Sequence, residues 1–146
     1  MTPQQIALVR QSWAVLEPVA PQVTAAFYQR LFELDPALEA RFARVDREAQ
    51  GRKLTDTLAT LVRSLDDPEG FVPMALGLGQ AHVEYGATRR HYALFGEALL
   101  STLQFTLEPA WSVDLHDAWA EAYTLLAALM QRGSTRPSGE ARQIAS

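Results

Sequence analysis

Apolar residues recur along this chain at spacings of three and four, and no stretch alternates convincingly with period two, so the pattern predicts an all-α protein. Thr2, Pro3 and Gln5 form a capping box with proline at the first helical position. They open a helix whose stripe is Ile6, Val9, Trp13 and Leu16. Pro18 and Pro21 separate it from a second helix at about 21 to 34, with Val23, Phe27, Leu31 and Leu34 on one face and Thr24 and Tyr28 beside them. Tyr28 is therefore expected near the core. Asp35-Pro36 caps and starts a short third helix through Leu38 to Phe42, and a charged stretch of Arg44, Asp46, Arg47 and Glu48 follows.

A fourth helix, about 47 to 65, places Gln50 at the head of a stripe continued by Leu54, Leu58 and Leu61. An amide on an otherwise apolar face needs a partner. The run Asp66-Asp67-Pro68-Glu69-Gly70 is expected to break the chain. Met74, Leu78, His82 and Tyr85 then line up on a fifth helix that Gly86 can terminate. Thr88 can cap a sixth helix carrying Leu94, Phe95, Ala98, Leu99, Thr102 and Leu103 and ending near Pro109. A seventh from Ser112 presents Leu115, Trp119, Ala122, Leu126 and Leu129 before Gly133. Residues 134–146, rich in Ser, Gly, Arg and Ala and without a stripe, are expected to form a mobile tail after a single domain at 1–133.

Composition narrows the function. A chain of 146 residues, 48% hydrophobic and 21% charged, is of a size and balance that can fold as one domain and still enclose a sizeable ligand. The net charge of -4 argues against nucleic-acid binding, which needs a clustered basic surface. No apolar run approaches bilayer-spanning length and Met1-Thr2-Pro3-Gln4-Gln5 does not read as a secretory signal, so a cytoplasmic protein with no membrane partner is expected. The absence of cysteine removes disulfides, thiolate nucleophiles and cysteine-based zinc sites.

The chemistry concentrates on a few residues. Haem iron is held by His, Cys, Met or Tyr, and Cys is excluded here. His82, on a helical stripe just before Gly86, is the best candidate ligand. Its alternative is a hydrogen-bonded core histidine. Tyr28 and Gln50 could reach one pocket from two helices and donate hydrogen bonds to a polarised ligand. Tyr28 could equally be an aromatic core residue bonded to backbone. Phe42 and Leu54 read as plain core by spacing alone. Lys53, one turn from Gln50, reads as a solvated charge or as a stem snorkelling toward an anionic group. His91, beside Arg89 and Arg90, divides between such an anionic contact and a solvated cap-region histidine. His116, among Asp114 and Asp117, reads as surface.

From the first helix to Gly133 the arrangement resembles the globin family. The residues that carry the resemblance are Asp35-Pro36 with Phe42 six positions after the proline, Gln50 with Lys53 and Leu54, and His82 with Tyr85-Gly86. Phe27-Tyr28, His91-Tyr92, Ala118-Trp119 and Ala122-Tyr123 make it most similar to single-domain bacterial haemoglobins and the haem domain of flavohaemoglobins. The resemblance implies a globin fold of about seven helices around haem b. His82 would be the proximal iron ligand, Tyr28 and Gln50 the distal donors, and Phe42, Lys53, Leu54, Leu78 and Tyr92 cofactor contacts.

It also implies O2, NO and CO as ligands, with reversible O2 binding, transport or storage as the expected function. The rival is nitric oxide dioxygenation supported by a separate flavin reductase, since no flavin or nicotinamide domain is read after Gly133. A stand-alone enzyme is not expected. A haem-free signalling module is disfavoured, because it has no need for His82, Tyr28, Gln50 and Phe42 together. Two departures bear on this reading. Ser134 stands where flavohaemoglobins hold a glutamate supporting the proximal histidine, although Tyr92 matches their supporting tyrosine. The segment between Phe42 and Gln50 is too short for a separate ordered helix. A monomer or a dimer is expected.

Overall fold

The computed structural model describes residues 1–84 and 86–134. Among them are seven α-helices, a 3-10 turn and no strand. The helix α1 spans Pro3–Leu16, and its box forms as its sequence dictates. The Gln5 amide donates to Thr2 Oγ1 at 3.1 Å, and the Thr2 amide to Gln5 Oε1 at 3.0 Å. Pro18 does not open a loop. It sits in the 3-10 turn Glu17–Val19, which leads directly into α2, Ala20–Leu34. The short α3, Pro36–Arg41, starts where Asp35 accepts the Ala37 amide at 3.2 Å and stops at Phe42.

After a turn with no helix of its own, Asp46 caps α4, Arg47–Ser64, by accepting the Glu48 and Ala49 amides. The expected break at residues 66–70 is shorter than the sequence suggests. Pro68 occupies the first position of α5, Pro68–Glu84, where its missing N–H costs nothing. Arg10 of α1 braces this corner, its guanidinium donating to the carbonyls of Val62 and Arg63 and to Asp66. Thr88 caps α6, Arg89–Leu107, and α7 runs Val113–Ser134. Gly133 does not end α7, and Ser134 is its last residue. The rest of the expected tail, 135–146, lies outside the described residues, as does Tyr85.

Gly79 of α5 and Gly133 of α7 have a packing reason. A Cβ on Gly79 would strike the Met130 carbonyl, and one on Gly133 the Leu76 carbonyl, so the two helices approach backbone to backbone. Around that seam the core contains Val9, Leu16, Leu31, Leu61, Leu103 and Trp119. The Trp119 indole donates to Ser12 Oγ at 2.8 Å.

This seam decides which face of α5 is spent on packing. Phe71, Ala75 and Gly79 are buried, while Met74, Leu78 and His82 form a second, half-buried row. The fifth-helix stripe read from periodicity is thus the row left incompletely covered. Helix α5 lies along α7 and meets α4 only sparingly. Gln50 and Leu54 on α4 and Phe42 at the end of α3 are also half-buried, although Leu58 and Leu61 further along α4 are fully packed. Apolar side chains of this kind without full enclosure are the kind that line a ligand cleft.

Candidate functional site

His82 sits in the last turn of α5. Its Nδ1 lies 2.8 Å from the Leu78 carbonyl, and since a carbonyl only accepts, Nδ1 carries the proton. In the neutral ring this puts the lone pair on Nε2, the arrangement in which imidazole ligates a metal while its other nitrogen is anchored to backbone. Gly86, at φ +76, closes the helix behind it, and the Ala87 amide returns to the His82 carbonyl at 3.1 Å. Among the described residues no three His, Asp or Glu side chains converge on a metal site. A lone imidazole holds iron firmly only when a macrocycle supplies the in-plane donors.

Tyr92, on the first turn of α6, is buried at 7% exposure, and its hydroxyl has no hydrogen-bond partner among the described residues. Leaving such a group unpaired costs about 1–3 kcal/mol. Burial pushes its phenol up. The Tyr92 carbonyl is better served, accepting the Tyr123 hydroxyl at 2.6 Å, and burial with the neighbouring Tyr92 pushes Tyr123 up as well.

The second half of the site lies between α2 and α4. Tyr28 is buried against Phe42 and Phe32, with ring centroids 5.7 and 6.2 Å away, and Phe32 and Phe42 stand 5.5 Å apart. Burial raises the Tyr28 phenol, and a hydrogen bond from the Gln50 side chain opposes that rise. A partner that favours the phenolate acts as a donor toward its oxygen. At neutral pH Tyr28 is a neutral donor in an aromatic wall.

The other candidates divide. Leu54 and Leu78 occupy the half-buried rows of α4 and α5, whereas Lys53 is solvent-exposed. His91 is a cap, as one of its two readings has it, but a buried one. Its Nδ1 accepts the Thr88 amide at 3.0 Å, which completes the box that starts α6. His116 is on the surface beside Asp117. Gln131 and Ser134, near the position of the missing glutamate, bond to carbonyls of their own helix, those of Ala127 and Gln131.

Sequence reasoning missed Phe32 and Arg47. The Arg47 guanidinium lies over the Phe32 ring, 5.1 Å from its centroid. Phe32 is four residues from Tyr28 and so shares its helical face, a signal that was present. Also unread were the ties from α3 to the α5–α6 corner. Arg90 donates to the buried Asp35 at 3.1 Å, and Arg41 to the Gly86 carbonyl at 3.4 Å.

The globin family model matches residues 25–130, a span that includes Tyr28, Phe42, Gln50, Leu54, Leu78, His82 and Tyr92. This chain belongs to the globin family. A flavohemoprotein of Chromobacterium violaceum is 33% identical over 129 residues, covering 87% of this globin and 32% of that protein. One from Bordetella parapertussis is 31% identical over 132 residues, covering 89% and 33%. Neuroglobin of Danio rerio is 31% identical over 139 residues, covering 86% of this globin and 87% of its own length. The globin therefore spans about a third of the flavohemoproteins it matches and most of the neuroglobin.

Globins typically hold haem, and the residues here fit one. His82 is anchored through Nδ1, Tyr92 keeps a buried hydroxyl without a partner among the described residues, and apolar rows on α4 and α5 stay half-covered. No helix among the described residues is long and apolar enough to cross a membrane.

Proposed function

We propose that this globin holds haem b between α4 and α5 through His82 and binds O2 reversibly, as a carrier or store. When bound, haem supplies the iron that takes up O2, NO and CO. The chain's own residues do the rest. Leu78 fixes the imidazole through its carbonyl, Phe42, Leu54 and Leu78 supply apolar walls that exclude water, and Tyr28 donates to the ligand. Gln50 orients that hydroxyl. The observation that carries this reading is the buried Tyr28 phenol in an aromatic wall with Gln50 beside it, because a buried phenol held as a donor discriminates for the more polar of two similar gases. The test is the visible spectrum of the purified protein as ferric and ferrous forms and after addition of O2, CO and NO. A stable, reversible spectral change with O2 supports the reading.

Nitric oxide dioxygenation with a separate electron donor is the second reading, favoured by the buried Tyr92 hydroxyl, which has no partner among the described residues. Carriage ranks first because neither Gln131 nor Ser134 brings a carboxylate to support His82, and both side chains are engaged on α7. NADH-driven NO consumption in the presence of a flavin reductase, compared with O2 binding under the same conditions, separates the two. Rapid multiple turnover would reverse the ranking.

A further inference from the structure

A groove of about 1160 Å³ runs along the outer side of α2 and α4, and Tyr28, Phe32 and Arg47 form part of its lining. The same three side chains, with Phe42 and Gln50, also line a crevice too tight to admit a water molecule. The outer groove and the crevice beside Gln50 thus share the side chains of Tyr28, Phe32 and Arg47.

The wall is thin at one place. The Arg47 guanidinium rests on Phe32 at 5.1 Å, and its ion pair with Glu39 is long at 3.9 Å, between side chains 56% and 60% exposed. Both contacts are weak in water. Arg47 is also the first residue of α4, so its side chain swings without unwinding a turn. On the groove floor Gly51 faces Thr24 so closely that a Cβ would come within 2.8 Å of Thr24 Oγ1, which keeps α2 and α4 close beneath the opening.

We propose that diatomic ligands reach Tyr28 and Gln50 from the α2–α4 groove, and that Arg47 stacked on Phe32 is the gate. The proposal rests on the reading of Tyr28 and Gln50 as ligand donors. A gate raises the barrier in both directions, so removing it speeds capture and release together and leaves affinity unchanged. A residue that bonds the ligand alters release alone.

The experiment is flash photolysis and stopped flow with CO on the haem-loaded protein, for wild type, Arg47→Ala, Arg47→Lys and Ala25→Trp. Ala25 is an exposed groove residue. In Arg47→Ala both association and dissociation should rise about two- to fivefold, the factor that corresponds to an exposed cation–π contact. Arg47→Lys, which keeps a cation over the ring, should stay near wild type. Ala25→Trp, which fills the groove, should slow both rates. An unchanged association rate in Arg47→Ala, or a rise in dissociation alone, overturns the gate.

A second readout does not depend on the iron. With fluorotyrosine incorporated and the Tyr28 resonance assigned by its loss in Tyr28→Phe, dissolved O2 should relax that resonance faster in Arg47→Ala than in wild type. Equal relaxation overturns the route. Failure of the donor reading shows differently, as a Tyr28→Phe variant whose O2 release is unchanged while the Arg47 effects persist.

Discussion

Gln50 of α4 holds the phenol of Tyr28 on α2 down against the rise that burial causes, and the Tyr28 ring packs on Phe42 in an aromatic wall. An amide N–H turned to the phenolic oxygen would leave the phenolic proton to a ligand. Tyr28→Phe removes that donor and keeps the ring. A hydrogen bond of this kind contributes about 1 to 3 kcal/mol, so O2 dissociation should accelerate about five- to a hundredfold. Carbon monoxide, less polar when bound, should change far less. Equal effects on both gases would show that Tyr28 acts by its bulk.

The tyrosines also make a prediction about pH. Burial raises Tyr28, with Gln50 opposing, and it raises Tyr92; burial and the neighbouring Tyr92 raise Tyr123. Each is an acid whose folded pKa lies above its unfolded value of about 10. The folded state therefore holds more protons in the alkaline range. The stability these groups contribute is complete below about pH 10 and is lost as pH rises through their folded values. Phenolate absorbance should show three of the chain's four tyrosines ionising late in the native protein, and Gln50→Leu should push Tyr28 later still. Ionisation of all four near pH 10 with the fold intact would contradict the burial described here.

Gly79 tests the link between packing and site. An alanine there drives its Cβ into the Met130 carbonyl, and backbone cannot swing aside as a side chain can. Gly79→Ala should destabilise the fold by about 1–3 kcal/mol, as overpacked sites do. It should also perturb His82, three residues along the same helix. Urea denaturation and the spectrum of the haem-loaded variant measure the two effects. Unchanged stability would mean that α5 and α7 are less intimate than the structure has them.

What was legible in the sequence follows from what periodicity encodes. Thr2, Asp35 and Thr88 announce their helices because a cap needs a particular side chain a fixed number of residues before the first turn. Tyr28 and Gln50 could be paired because each lay on or beside an apolar face. The row Met74-Leu78-His82 was found, yet nothing in its spacing told it apart from Phe71-Ala75-Gly79, since α5 is apolar on both. Only the α5–α7 seam decides which row is buried. Gly133 reads as a helix stop by residue type, but what it serves is a close backbone approach, a tertiary fact. Arg47 lay in a charged run whose usual fate is solvation, and its seat on Phe32 depends on where α2 and α4 cross. His91 was read as a solvated cap or an anion contact; it is a buried cap.

The most direct measurement is the iron–histidine bond itself, read by resonance Raman and visible absorption of the ferrous protein in wild type and His82→Ala. Wild type should show a five-coordinate, histidine-ligated haem. His82→Ala should lose that signature and most of its haem, with added imidazole restoring the spectrum, and its thermal stability should fall because haem binds only the folded state. A His82→Ala protein that keeps the wild-type spectrum and haem content would contradict the account.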